Sequence, residues 1–191
     1  MKRIVLLMTL CLALTGQAHA QRYLPGQKGL QFTVSAVDGF YLEKGDKQAF
    51  AGGVALSTYT KNGNRWVFGA EYLQKSYGYK TELISTSQFT AEGGYYYKFL
   101  SDRSKTFFFS IGASAMAGYE TVNWGESLLF DGSTITSDDN FLYGGAVTFE
   151  IETYLSDRIV LLLNVRERIL GGSSISMFHT QIGVGIKFIL N

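Results

Sequence analysis

The sequence is poor in cysteine, in proline and in long apolar runs. Its one cysteine, Cys11, lies within the first 20 residues, and its one proline is Pro25. Residues 1–20 carry Lys2 and Arg3, then an apolar run over 4–14, then Ala18-His19-Ala20. A basic start, a short greasy stretch and a small-x-small end predict a secretory signal peptide cleaved after Ala20. Cys11 sits inside the greasy stretch and not directly after the cut, which argues against a lipoprotein. A mature chain starting at Gln21 has no cysteine, so disulfides and thiolate metal sites are excluded. Beyond the signal the densest apolar run is 159–163, far short of the ~20 residues a membrane-spanning helix needs. No stretch sustains apolar residues at helical spacing. Basic excess is missing as well. The signal removes two of the 17 Lys and Arg, leaving 15 against 16 Asp and Glu, so nothing marks a nucleic-acid surface. His179 is the one histidine left, and a metal site built on carboxylates alone is a weak expectation. No cofactor motif is present: Gly93-Gly94 and Gly171-Gly172 do not precede helices, so they are not phosphate loops.

What the chain does have is aromatics, glycine and alternation. Residues 178–191 read FHTQIGVGIKFILN. Even positions from Phe178 to Leu190 are mostly apolar, and odd positions are mostly polar or small. A period of two over more than ten residues is about twice the usual length of a soluble strand and matches a strand crossing a bilayer. The same alternation recurs upstream. It predicts strands over about 30–36, 48–60, 65–75, 87–99, 106–119, 141–152 and 159–168. Asn62-Gly63 predicts a tight hairpin turn, because both central positions need positive φ. Polar loops are expected at 38–47, 76–86, 120–140 and 171–174, and short turns at 101–104 and 156–158. Short turns alternating with longer loops, and an even strand count, are the rhythm of an outer-membrane barrel. The expected fold is therefore all-β, an eight-stranded antiparallel up-and-down transmembrane β-barrel. Its plan is a signal peptide at 1–20, a short periplasmic lead-in at 21–28 and the barrel at 29–191. Tyr59, Trp66, Tyr95 to Phe99, Phe107 to Phe109, Tyr154 and Phe188 lie near strand ends and are expected to form interfacial girdles.

Strand parity points a set of charges inward. Glu71, Glu92, Glu150 and Glu152 face the lumen with Lys98, Arg166, Arg168 and Lys187. Pairing about the 156–158 turn sets Glu150 level with Asn164 and diagonal to Arg166. An eight-stranded barrel has room inside only for side chains, so opposed charges would plug it and fix register. A narrow gated pore and a carboxylate site are the sharper alternatives. His179, near Ser173, Ser174 and Ser176, leaves room for a lipid-acting hydrolase at the rim, although a lone histidine there is more often structural. No catalytic residue is assigned. The 120–140 connection, with Trp124, Asp131, Asp138 and Asp139, is the candidate for contact with a partner or a recipient cell.

Several long strings resemble the TraO family of conjugative transposons of Gram-negative anaerobes. They are QRYLPGQKG at 21–29, ALSTYTKNGNRWVFGAEYL at 55–73, SQFTAEGGYYYKFLSD at 87–102, AGYETVNWG at 117–125, EIETYLSDR at 150–158 and FHTQIGVGIKF at 178–188. The resemblance covers nearly all of the mature chain. It implies an outer-membrane component of a conjugation apparatus that works with other transfer proteins and carries no catalytic residues. An anchoring or assembling role follows, with no direct nucleic-acid binding, since so narrow a barrel passes no duplex. An adhesin-like surface protein and a small outer-membrane enzyme are the rival functions. Gln181, Gly183, Ile186 and Phe188 have the polar, glycine, apolar, apolar spacing that resembles the β-signal read by the barrel-assembly machinery. That machinery and outer-membrane lipid are thus expected partners.

Overall fold

A computed structural model describes residues 24–38, 49–79, 82–126, 128–129, 131–135, 139–174 and 176–190. The expected signal peptide, most of the first loop and Asp138 lie outside these residues. The strands are β1 (Lys28–Val37), β2 (Ala49–Tyr59), β3 (Arg65–Tyr79), β4 (Glu82–Ser101), β5 (Phe107–Val122), β6 (Asn140–Tyr154), β7 (Ile159–Gly171) and β8 (Phe178–Ile189). Each pairs antiparallel with its neighbour in sequence, and β8 closes on β1, giving an eight-stranded barrel.

Alternation produces this shape because every strand must present a different chemistry to each side. On β7, Leu161, Leu163 and Val165 point out while Leu162, Asn164 and Arg166 are buried. On β1, Phe32 and Val34 are exposed and Gln31 is buried, an inversion of a water-soluble protein. Backbone groups find partners in the ladder on both sides of each strand, so no edge is left to face lipid.

The barrel has a termini end, where β1 begins and β8 stops, and an opposite loop end. At the termini end Asn62 and Gly63 take the expected positive φ, 65° and 79°. The Thr60 amide donates to the Asn64 carbonyl at 2.7 Å, so the turn spans three residues, not two. Strands three and four overturn an expectation. Residues 76–79 and 82–86, read as loop, continue the hairpin in register, from Lys75 opposite Thr86 up to Tyr79 opposite Glu82. Only residues 80–81 separate the strands, so this connection is the shortest of the loop-end connections. The cause is that a ladder rising beyond the apolar band has no need of apolar side chains; Tyr77, Tyr79 and Ile84 still favour strand.

Parity also corrects the girdle. Tyr59 and Tyr154 point into the lumen, 1 % and 3 % exposed, as does Phe108. Tyr59 shares its odd register with the inward Ala55 and Ser57, and Tyr154 its even register with Glu150 and Glu152. Their rings, with Val160, Leu162 and Ile189, form an apolar floor inside the termini end. Trp66 and Tyr95 do face outward, edge to face at 5.0 Å. Phe50, Tyr72 and Phe89 make a second outward cluster toward the loop end.

Candidate functional site

The lumen is where the polar side chains converge. Above the apolar floor lies a first network centred on Arg65. Its Nη1 lies 3.0 Å from Glu152 Oε2 and donates to Ser110 Oγ at 3.1 Å, while its Nη2 pairs with Glu150. The guanidinium also stacks over the Tyr96 ring, 4.8 Å from its centroid. Glu152 pairs further with Lys187 and accepts the Tyr59 hydroxyl at 2.8 Å. Arg65 is fully buried, as are Lys187 and both carboxylates. It is the residue that parity should have supplied. Arg65, Val67, Gly69 and Glu71 share one face of β3, but its place directly after the turn disguised it as a boundary.

A second network lies nearer the loop end. Glu71 lies 3.2 Å from Arg166 Nη1 and 3.1 Å from Arg168 Nη1, and accepts from Gln181 Nε2 at 3.0 Å. Arg166 also pairs with Glu92. Glu150 stands opposite Asn164 in the ladder, as expected, yet its cation is Arg65 from across the lumen and not Arg166. Lys98 is half-buried beside the β-bulge at the end of β4, its ammonium 5.6 Å from the Phe108 centroid. A cavity of about 30 Å³ remains between the networks, lined by Gln31, Glu71, Glu92, Glu150 and Arg166 among others. That is room for a water or two and for no solute.

At the rim of the loop end, Asp38 joins three strands. Its carboxylate accepts from Lys75 Nζ at 2.6 Å and from the Thr180 amide at 3.2 Å, and meets His179 Nδ1 at 3.0 Å. Asp38 holds φ at 55°, a conformation that aspartate tolerates better than most residues. Burial raises its carboxyl, but Lys75 and then His179 outweigh burial and hold it below the usual carboxylate value. A depressed folded value means that the stabilisation is present above the unfolded value and is lost as pH falls through the folded one. Asp38→Asn should therefore lower the urea midpoint of the refolded barrel at neutral pH. The gap to wild type should close below about pH 4. A gap independent of pH would show that the ion pair contributes nothing.

The serines near His179 go elsewhere. Glu120, fully buried on β5, accepts from Gln88 Nε2 at 2.7 Å, Ser173 Oγ at 2.9 Å and the Ser174 amide at 2.7 Å. This ties the β7–β8 connection down over the mouth. The side chains of that constellation have separate partners, with His179 on Asp38, Ser173 and Ser174 on Glu120, and Ser176 accepting from the Phe178 amide at 3.3 Å. In the β5–β6 connection, Asp139 accepts from the Tyr119 hydroxyl at 2.8 Å and from the Val122 amide at 3.2 Å. The Tyr119 hydroxyl holds the Asp139 carboxyl below its usual value. Asp131 caps its own turn through the Ser133 amide at 3.0 Å and meets Tyr79 from the long hairpin. Trp124 sits on a left-handed turn, 63 % exposed, against Phe89. Both aspartates thus serve loop shape, and Trp124 is the side chain left outward. Of the β-signal residues, Gln181 and Gly183 face inward, Ile186 and Phe188 outward, with Phe188 edge-on to Phe32 at 6.4 Å.

No curated protein sequence matches the chain. Among solved structures it is similar to Neisserial surface protein A, at 12 % identity and a TM-score of 0.56, over 87 % of this chain and 98 % of that one. It is equally similar to the attachment invasion locus protein Ail of Yersinia pestis, at 9 % identity and a TM-score of 0.56, over 87 % of this chain and 100 % of that one. At such identities the likeness shows the fold, an outer-membrane-type barrel. A family model described as conjugative transposon protein TraO matches residues 24–190, nearly the whole chain. The chain belongs to the TraO family of conjugative transposon proteins.

Proposed function

We propose that the chain is an outer-membrane component of a conjugative transfer apparatus that anchors or assembles the mating machinery and is neither its DNA conduit nor a catalyst. The observation that carries this reading is the filled lumen. Arg65 bridges β3 to β6, and Arg166 reaches from β7 to β3 and β4, so ion pairs cross the interior at two heights. A barrel occupied in this way offers surface and rigidity rather than passage. The outward face is apolar and girdled by aromatics, which supports residence in a bilayer. The termini face the periplasm and the 123–139 connection faces outward in this reading. His179 lends no support to hydrolysis, because Ser173 and Ser174 are held by Glu120 and Ser176 accepts from the Phe178 amide.

The test is a mating assay with fractionation. Deleting the chain from a donor should lower transfer by orders of magnitude, and the protein should sediment with outer membranes and show heat-modifiable gel mobility. His179→Ala should restore transfer to the deletion strain. Transfer unaffected by deletion would sink the role. A requirement for the His179 side chain in a barrel that still folds would reopen the enzyme reading.

A further inference from the structure

Every strand turns apolar, aromatic or small residues outward along its middle, with one exception. On β7 the outward series runs Leu161, Leu163, Val165, Glu167, Ile169. Among the described residues, Glu167 is the one charged side chain on the outward face away from the strand ends. Its register pairs it with Thr180, level with Asp38 and short of the outermost aromatics of the loop end. Ile169, one outward position nearer the loop end, pairs with Phe178, and Gly171 pairs with Tyr143, both outward aromatics. Glu167 therefore lies inside the apolar band, beneath the aromatics of the loop end. Among the described residues its carboxylate receives one hydrogen bond, from Thr180 Oγ1 at 2.6 Å, and meets no cation. A charge on a lipid-facing surface is costly to a degree that depends on depth, and such residues mark functional contacts.

We propose that the outward face around Glu167 is an intramembrane contact for a different membrane protein that presents a lysine or arginine at this height. The inference rests on the reading of the chain as an assembly component in a bilayer. Charge complementarity selects the occupant. A second copy inserts in the same sense and presents at that height the same apolar face, with no outward cation among the described residues. A phosphate-bearing lipid headgroup repels a carboxylate. A cationic side chain from another protein neutralises it and also uses the free acceptor positions that Thr180 leaves. The neighbouring surface permits close approach, since Val147 lies opposite Glu167 on β6 and Gly145 lies beside it, with Ala113 and Ala115 next on β5.

The test uses the full chain in donor cells carrying the complete element, with a photo-crosslinking residue at Val147 and, as a control on the far side of the barrel, at Val54. The expected result is one protein adduct from position 147 and none of that species from 54. Glu167→Gln, which keeps a hydrogen-bonding carbonyl for Thr180 and removes the charge, should reduce the adduct about tenfold. Glu167→Lys should abolish it, and changing one lysine or arginine of the captured protein to glutamate should bring it back. Heat-modifiable mobility establishes that each variant barrel has folded. An adduct to lipid alone or to a second copy, or one indifferent to Glu167→Gln, overturns the proposal. Transfer lost on deletion of the chain with no adduct at 147 defeats this contact and leaves the assembly role standing. The reverse pair of results defeats the role and leaves the contact.

Discussion

Arg65→Met should destabilise the refolded barrel by about 3–5 kcal/mol, read as a fall in the urea midpoint in detergent or bilayers. Methionine matches the length of the stem and removes the guanidinium that serves Glu150 and Glu152 together. Glu152 retains Lys187, so its loss is partial. Among the described residues Glu150 keeps no paired cation, and an unpaired carboxylate buried to 2 % exposure carries the greater part of the cost. The cost thus arises from the charge left behind rather than from the bond removed, and this yields a second expectation. Adding Glu150→Gln to Arg65→Met should recover at least half of the loss, because the stranded charge is gone. Adding Glu92→Gln should recover nothing, because Glu92 belongs to Arg166 in the other network. Coupling within a network and additivity between networks is the signature of two separate clusters. Equal rescue by both substitutions would mean that the lumen behaves as one charge pool. Arg65→Lys is no conservative control, since a single ammonium cannot bridge two carboxylates and lie over Tyr96 as the planar group does.

This network also marks the limit of what the chain discloses before it is folded. Which residues face the lumen was legible, because lipid outside and packing inside impose strict parity. Glu71, Glu150, Glu152, Arg166, Arg168 and Lys187 all fall on the inward register. Which of them meet was not. Arg65 and Glu150 lie 85 positions apart, and Arg166 and Glu71 lie 95 apart, on strands that never pair with each other. Such pairs depend on the relative heights of strands across the lumen, and parity carries no height. Strand ends were hidden for a different reason. Where the ladder leaves the apolar band at 76–79 and 82–86, alternation in hydropathy stops although hydrogen bonding continues. Tyr59 and Tyr154 show the converse error, in which an aromatic near a strand end suggested a girdle while its register placed it inside. Glu167 lay in plain view between Arg166 and Arg168, and its parity alone was enough to mark it as outward.

Two glycines that look alike in the sequence should behave oppositely when changed to alanine, and the contrast tests a close approach of two strands. Gly52 of β2 faces outward, and a Cβ there would have the Thr33 carbonyl oxygen as its nearest neighbour, at 4.0 Å. Gly52→Ala should be neutral or stabilising by about 0.5 kcal/mol, since alanine loses less backbone freedom on folding. Gly144 of β6 lies between Met116 of β5 and Leu170 of β7 in the register and is itself exposed. A Cβ there would overlap the Ile169 carbonyl oxygen and stand 3.0 Å from Leu170 Cα. Both obstacles are backbone, so no rotamer change relieves them and the β6–β7 ladder itself must open. Gly144→Ala should cost about 3 kcal/mol, the upper range for added volume forced against atoms that cannot move aside. The damage should extend beyond the glycine. Two pairs further along, Ala146 stands opposite Arg168, so a displaced ladder moves that guanidinium away from Glu71. A Gly144→Ala barrel should then be less sensitive than wild type to Arg168→Met, because part of that ion pair is already lost. If Gly144→Ala matches Gly52→Ala in urea midpoint, the β6–β7 ladder accommodates a methyl group at this point and the second network does not depend on the approach of these strands.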